Sequence, residues 1–379
     1  MPWEQAYNTA RDTPKPLPPE QTPVEAAAGL SLAAPILART PAPAFDAAAM
    51  DGFAVAGPGP WTITGRILAG QPVACSALPA GTGVEIGTGA PAPVGADAVL
   101  PYENCHRAGS TVTGTIGTRT HIRRTGDDVR PGDVIVPAGR TVTATVAAAA
   151  VQAGVDDVFT HRPPTVTLFV TGDEVIACGT PGPGQVRDSF SGLVAAVTSR
   201  AGGILRACSY LRDDKALLQA ALDDTDTDVI VVSGSSSAGA ADHLHTVLNE
   251  QHATWHVNGV ACRPGHPQAL AALADGRWVI SLPGNPYAGL TAALTLLEPL
   301  LRTLAGQPAG KLPTCLVTGT AKLTSGAVRI VPVRFTGAAA QILPGTGSAG
   351  LRAAAAADAL AVLPIGWTNG APAAILAVP

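Results

Sequence analysis

From Thr165 onward the apolar positions fall into near-continuous runs separated by amphipathic stretches. TVTLFV, ILRACSY, DVIVVSG and RWVISLP read as strands covered on both faces, and SGLVAAVTSRAGG, DKALLQAALDD, AADHLHTVLNE and NPYAGLTAALTLLEPLL read as the helices between them. Alternation of that kind predicts a parallel sheet wound by helices on both faces. The chain before it has another rhythm. Residues 41–126 carry short runs (WTITGRIL, VEIGTG, DAVLPYE, STVTGTI) between Gly/Pro turns, which predict a compact β module. On either side of it, VEAAAGLSLAAPIL at 24–37 predicts a short helix stopped near Pro35, and TVTATVAAAAVQA at 141–153 a helix stopped at Gly154. Residues 1–22 are polar and Pro-rich and are expected to be poorly ordered. After the linker LAGQPAGKLP, the runs TCLVTGTAKL, VRIVPVRF, ALAVLP and AAILAVP predict a small β barrel or sandwich.

Composition narrows the class. At 379 residues, 46% hydrophobic and 14% charged, the chain is long enough for about two to three packed domains and too apolar for a disordered protein. A net charge of −4 without any Lys/Arg cluster excludes a general nucleic-acid binder. Lys15, Lys215, Lys311 and Lys322 are the only lysines, which moves Schiff-base chemistry away from the centre of any mechanism. The six cysteines are scattered without a CxxC pair, so neither a zinc ribbon nor a disulfide framework is expected. The N-terminus lacks an apolar signal core and no run approaches the ~20 residues of a membrane span, so a cytoplasmic setting is expected.

In an open parallel sheet, ligands bind beyond the carboxyl ends of the strands. Here those ends carry Thr171 to Glu174, Arg212 to Asp214, Ser233 to Gly239 with Asp242, and Leu282 to Pro286. The loop containing Ser233, Gly234, Ser235, Ser237 and Gly239 runs from a buried strand into a helix, where backbone N–H groups and the helix dipole suit a phosphate. It reads equally as an ordinary strand-to-helix connection. Next to Pro283, Asn285 reads as a helix N-cap and Pro286 as the first helical residue. Glu174, Asp213 and Asp242 place three carboxylates at three strand ends, a set that suits Mg²⁺, which takes a few carboxylates, waters and substrate phosphates. His243, His245, His252 and His256 read as surface histidines, since 243 and 245 point to different helix faces. In the β module, Asp51 with Gly52, Gly87 to Pro91 and Gly126 to Asp128 read as turns set among apolar residues. From the residues alone this is a multidomain protein with an Mg²⁺- and phosphate-binding α/β domain and a nucleotide-linked substrate.

AAAMDGFAV, GTGAPAPVGADAVLPYE, RRTGDDVRPGDVI, TLFVTGDEVI, GQVRDSFSGLV, VVSGSSSAGAADH, ACRPGHP and SLPGNP occur in this order. Together they resemble the molybdopterin molybdenumtransferase family, which includes the E domain of gephyrin, over residues 24–379. The resemblance implies an α/β multidomain fold. A three-layer αβα, parallel-sheet molybdopterin-binding domain (163–305) is flanked by an N-terminal α+β region (1–40 with 127–162) carrying an inserted β module (41–126), and by a C-terminal β barrel (312–379). It implies Mg²⁺-dependent insertion of molybdate into adenylated molybdopterin with release of AMP. The implied assembly is an elongated homodimer, with the active site between the α/β domain of one subunit and the β module of the other. By position, Asp51, Thr88 and Asp128 match acidic and hydroxyl groups brought across the dimer. Glu174, Asp213 and Asp242 match the carboxylates around Mg²⁺ and the pyrophosphate, and these six form the implied catalytic set. Asp188, Ser233, Gly234, Ser235, Ser237, Gly239, Arg263, His266, Pro283, Asn285 and Pro286 are the implied substrate contacts. The implied partners are a second copy and other molybdenum-cofactor proteins, with no nucleic acid and no membrane.

Departures from the family pattern gather in the anion-binding groups. Arg263 and His266 stand where the family has the two lysines of Lys-Pro-Gly-Lys-Pro, so one charge changes shape and the other becomes pH-dependent. Residues 234–237 read Gly-Ser-Ser-Ser in place of Gly-Gly-Val-Ser, Phe190 replaces an Asn after the Asp-Ser pair, and Arg352 and Ala353 replace a Ser pair. Three readings follow: a working insertase, a divergent paralogue that binds or scaffolds without turnover, and an adenylyltransferase built on a related α/β domain. The flanking β segments speak against the third, which needs only the central domain.

Overall fold

The computed structural model describes residues 1–71, 76–234, 243–307, 310–344 and 347–379. At its centre is a six-stranded sheet ordered Ile204–Leu211, Thr165–Thr171, Val229–Ser233, Trp278–Leu282, Ala269–Ala272, Thr254–Asn258. The first four strands run parallel, as the alternating pattern predicts. The last two run antiparallel and correct the expectation of a wholly parallel sheet. ALAA is apolar but made mostly of alanine, a weak strand former, and TWHVN mixes polar with apolar residues, so it is the pairing that makes them strands. Period-two alternation sorts the central strands between two cores. Leu168, Val170, Val229 and Val231 face the helix Phe190–Arg200 and the helical stretch from Pro286 to Leu304. Phe169, Ile230 and Val232 face the helices Lys215–Asp223 and His243–Glu250. The strand Ile204–Leu211, expected to be covered, is the sheet's edge and lies exposed along most of its length.

Two expectations at the N-terminus fail for one reason, that local pattern yields to docking. Residues 1–22 are not loose: Trp3–Asp12 is a helix with Trp3, Ala6, Tyr7 and Ala10 along one stripe. Trp3 is 5% exposed and its indole N–H donates to Thr295 Oγ1 at 3.0 Å, while the Thr303 hydroxyl donates to the Arg11 carbonyl at 2.7 Å. Nor is 24–37 a helix. Val24–Ala26 makes a single 3₁₀ turn, Gly29 at φ +84° redirects the chain, and Ser31–Leu32 and Ile36–Leu37 are short strands. Its apolar residues Val24, Ala27, Leu32 and Ile36 are buried in a core shared with the helix Ala144–Gln152. That helix is where the sequence places one. The Thr143 hydroxyl oxygen accepts from the Val146 amide at 3.2 Å, and Gly154 lies beyond its end at φ +75°.

The β module is a six-stranded sheet ordered Ala98–Pro101, Gly52–Val55, Thr82–Ile86, Trp61–Ile67, Thr111–Gly114, Cys105–Ala108, with two small apolar cores. At the chain's end, Thr314–Thr318, Val328–Thr336, Ala339–Ile342, Ala359–Leu363 and Pro372–Ala377 close into a five-stranded barrel. Closure follows from Val328–Thr336 pairing on both its edges. The strand Cys262–Arg263 joins this barrel by pairing with Val328 and Arg329. No helix among the described residues is long and apolar enough to cross a membrane.

One ion pair ties down the start of the parallel strands. Arg162 reaches Asp228 through contacts of 2.8 and 2.7 Å, and Asp228 also accepts from the amide and hydroxyl of Thr165, each at 2.8 Å. Burial pushes the Asp228 carboxyl up, but Arg162 and Thr165 outweigh it and hold it below the ordinary carboxylate value. Asp228→Ala leaves these donors without their acceptor, and a loss of about 2–4 kcal/mol in denaturant unfolding is expected. Because the folded-state pKa is depressed, this stabilisation is complete above about pH 4 and lost as pH falls through the lower folded value. The wild type therefore loses more stability on acidification than Asp228→Ala does. Parallel acid profiles for the two proteins contradict the pairing.

Candidate functional site

The carboxyl ends of the four parallel strands open on one cavity of about 680 Å³. Two glycines let the backbone segments meet there. A Cβ on Gly234, at φ +101°, would lie 2.6 Å from the Thr171 carbonyl oxygen, and one on Gly172 would lie 2.6 Å from the Glu174 carboxylate. The Thr171 hydroxyl donates to the buried Ser233 carbonyl at 2.8 Å. The Gly234 amide donates to the Leu282 carbonyl at 3.1 Å and so is not free for a phosphate.

Glu174 and Asp213 both face this cavity, exposed, and neither carboxylate bonds to another described residue. Asp242, Ser235, Ser237 and Gly239 lie outside the described residues. Among the described residues no three His, Cys, Asp or Glu gather to hold a metal, so Glu174 and Asp213 are what these residues offer a cation. Asp188 also lines the cavity, but its oxygens are engaged. They accept from the Phe190 amide at 2.7 Å, the Ser191 amide at 3.3 Å and the Tyr210 hydroxyl at 3.0 Å. Burial raises its carboxyl, and these hydrogen bonds more than reverse the shift. Phe190, the departure beside it, is buried with its ring where a Cβ on Gly289 would lie, 2.1 Å away. The change from a polar residue is absorbed as packing.

A second cavity of about 270 Å³ adjoins the first, and Pro267, Pro283 and Asn285 line both. Arg263 and His266 stand in it, joined by Arg329 and Ser348, which no sequence motif marks. Arg329 arrives because it is Arg263's partner in the strand pairing between the α/β layer and the barrel. The His266 Nδ1 is 2.7 Å from the Val260 carbonyl, and since a carbonyl only accepts, Nδ1 carries the hydrogen. Asn285 occupies the N-cap position the sequence predicts, but its side chain makes no capping hydrogen bond. Its amide donates to Ser348 Oγ at 3.3 Å, and the Ser348 carbonyl accepts from the Tyr287 and Ala288 amides at 3.1 and 3.2 Å. A residue of the C-terminal region thus covers the helix end, and Pro286 begins the helix as expected.

Asp51, Thr88 and Asp128 line neither cavity. They sit on the rim of the β module, where three segments distant in sequence are tied together. The Asp51 carboxylate accepts from the Thr88 amide at 2.7 Å and its hydroxyl at 3.0 Å, which holds it below the usual carboxylate range. Asp128 pairs with Arg123, whose backbone is in register with Ala47. Asp46 binds Arg124 at 2.6 Å and the Thr125 amide at 2.8 Å, and the Ala48 amide donates to Ala90 at 2.9 Å. Asp46, Arg123 and Arg124 carry no signal in the sequence beyond ordinary turn chemistry.

Residues 1–154 match the family described as the MoeA N-terminal region (domain I and II), and residues 167–303 match the probable molybdopterin binding domain. Molybdopterin molybdenumtransferase 2 of Mycobacterium tuberculosis is 33% identical over 329 residues, covering 81% of this chain and 80% of that protein. Molybdopterin molybdenumtransferase of Haemophilus influenzae is 30% identical, covering 79% of this chain and 76% of that one. The crystal structure of the molybdopterin biosynthesis MoeA protein from Pyrococcus horikoshii matches with a TM-score of 0.84 at 26% identity, over 100% of this chain and 99% of that one. A shared fold along the whole length, two matched domains and relatives at this identity lead to one conclusion: the chain belongs to the molybdopterin molybdenumtransferase family, transferases of molybdenum cofactor biosynthesis.

Proposed function

We propose that this protein inserts molybdate into adenylated molybdopterin, with Mg²⁺ as cofactor and release of AMP, and that it does so as a homodimer. One observation carries the reading. The cavity lined by Glu174 and Asp213, whose carboxylates bond to no described residue, and by Arg187 adjoins a cavity lined by the Arg263 and Arg329 guanidinium groups and the His266 imidazole. Breaking a phosphoanhydride while delivering a tetrahedral oxyanion to the same molecule calls for acidic and basic groups held side by side. Glu174 and Asp213 are hard oxygen donors, and no Cys or His lines their cavity, a set that fits Mg²⁺. Bound there, the ion neutralises charge on phosphate oxygens. Arg263, Arg329 and protonated His266 take the oxyanion, and Asn285 with Ser348 stands at the boundary where the two substrates meet. Asp51, Thr88 and Asp128 come from the second copy, a reading favoured by their standing outside the lining of both cavities within one chain. The cytoplasm is the compartment that suits this reading and the free cysteines among the described residues.

The test is complementation of an insertase-null strain, with molybdoenzyme activity read at ordinary and elevated molybdate. Restored activity at ordinary molybdate is expected. Binding of molybdopterin without complementation or AMP release instead favours the scaffold alternative.

His266 tests the oxyanion cavity. Its Nδ1–H is committed to the Val260 carbonyl, which leaves Nε2 as the ring nitrogen for a ligand. His266→Lys supplies a fixed positive charge and is expected to tighten molybdate binding, and His266→Ala to weaken it. Isothermal titration of molybdate checks it. Unchanged affinity in both variants rules His266 out of the oxyanion site.

A further inference from the structure

We infer that Tyr102 is a substrate contact, its ring a platform for a planar heteroaromatic group of the adenylated pterin, presented across the dimer beside Asp51. The inference rests on the two-chain reading above. Asp51 precedes Gly52, which pairs with Pro101, and Tyr102 opens the 3₁₀ turn Tyr102–Asn104 directly after Pro101. Asp51 and Tyr102 therefore flank the same end of two neighbouring strands, with the Tyr102 side chain reaching Phe53 and Glu85. Phe53 pairs with both Leu100 and Glu85, which puts Asp51, Phe53, Glu85, Leu100 and Tyr102 on one side of the sheet. Gly52 lies between them by necessity, since a Cβ there would be 2.1 Å from the Leu100 carbonyl oxygen. A surface that presents Asp51 to a cleft therefore presents Tyr102 to the same cleft.

The ring is 46% exposed, yet it is held. Its hydroxyl donates to Glu85 Oε1 at 2.9 Å, and its ring meets Phe53 edge-on with centroids 5.3 Å apart and planes at 86°. Glu85 is fixed in turn by Arg107 at 3.1 Å, and the Arg107 guanidinium lies over the Phe53 ring. Half-exposed, the ring contributes little to the module's own core. A large aromatic surface already fixed in place loses little further freedom on binding, which is the economy of a preorganised contact. The substrate carries two planar heteroaromatic groups, adenine and pterin, and either can stack on it.

The experiment compares wild-type, Tyr102→Leu and Tyr102→Phe dimers in turnover of adenylated molybdopterin, with AMP and unadenylated molybdopterin as competitors. Tyr102→Leu is expected to raise KM about tenfold with kcat little changed, the size of one lost stacking contact. Tyr102→Phe keeps a stacking face and is expected to recover most of that affinity. Weakened competition by AMP in Tyr102→Leu assigns the ring to adenine, and weakened competition by molybdopterin assigns it to the pterin. A folded Tyr102→Leu dimer with wild-type KM overturns the inference. So does Tyr102→Phe as impaired as Tyr102→Leu, which makes the hydroxyl the active part. If Tyr102→Leu melts early, Tyr102→Thr, suited to a strand end, takes its place under the same criteria. Wild type that fails to turn over this substrate overturns the parent reading, so the two failures are told apart.

Discussion

Mixing Asp51→Ala subunits with Glu174→Ala subunits is expected to restore activity that neither preparation has alone. Asp51 is exposed on the β-module rim and Glu174 lines the sheet-end cavity, and none of the described β-module residues lines that cavity within one chain. A site that needs both groups is therefore built from two copies. In a two-fold dimer each mixed pair carries one doubly damaged site and one intact site, so random exchange of equal amounts recovers roughly a quarter of wild-type activity. Little loss of stability is expected from either substitution, because among the described residues Glu174 has no side-chain partner and Asp51 bonds only to Thr88 at the surface. No recovery after subunit exchange, or a monomer by light scattering at micromolar concentration, refutes the shared site.

Glu174→Gln and Asp213→Asn are each expected to lower the rate of AMP release by about a hundredfold or more, the order seen when one group that stabilises developing charge is removed. Both substitutions keep side-chain size and remove one negative charge. The acids of the α/β layer divide into two sets. Asp228 and Asp188 have their oxygens taken up by the protein, which marks them as structural anchors. Glu174 and Asp213 face a cavity with no such partners. Like charges left unpaired near one another gain nothing for the fold, so their neutral variants should melt within about 0.5 kcal/mol of wild type. Calorimetric titration of Mg²⁺ in the presence of AMP supplies the second readout, with much weaker binding expected in both variants. Equal Mg²⁺ affinity in variant and wild type ends the metal assignment, and a large loss of melting temperature makes the residue structural.

Much of the architecture is legible in the chain because it is local. Runs such as TVTLFV and DVIVVSG are apolar on both faces and cannot be satisfied at a surface, so they read as central strands, and their carboxyl ends point to where ligands bind. Glu174 and Asp213 follow neighbouring strands, and the structure opens both on one cavity. Helix Ala144–Gln152 is read correctly because its cap and its stop lie within its own sequence.

The errors and omissions share the opposite property. The helix Trp3–Asp12 has a stripe too short to stand out, and it is secured by Thr295 and Thr303 from the far end of the chain. The segment 24–37 counts as helical by its alanines until a core shared with Ala144–Gln152 claims its apolar residues. Arg329 and Ser348 enter the second cavity, and Asn285 loses its capping role, only because the barrel docks on the sheet ends. The sequence by itself determined the fold class, the sheet-end acids and the family, since strand burial, helix capping and ordered motifs are properties of neighbours along the chain. Tertiary structure alone decided which acids are spent on the fold, which cations gather for an oxyanion, and that the Asp51 rim stands apart from the cavities. Those depend largely on contacts between residues some sixty positions apart, such as Arg162 with Asp228 and Asn285 with Ser348, and no local pattern encodes them.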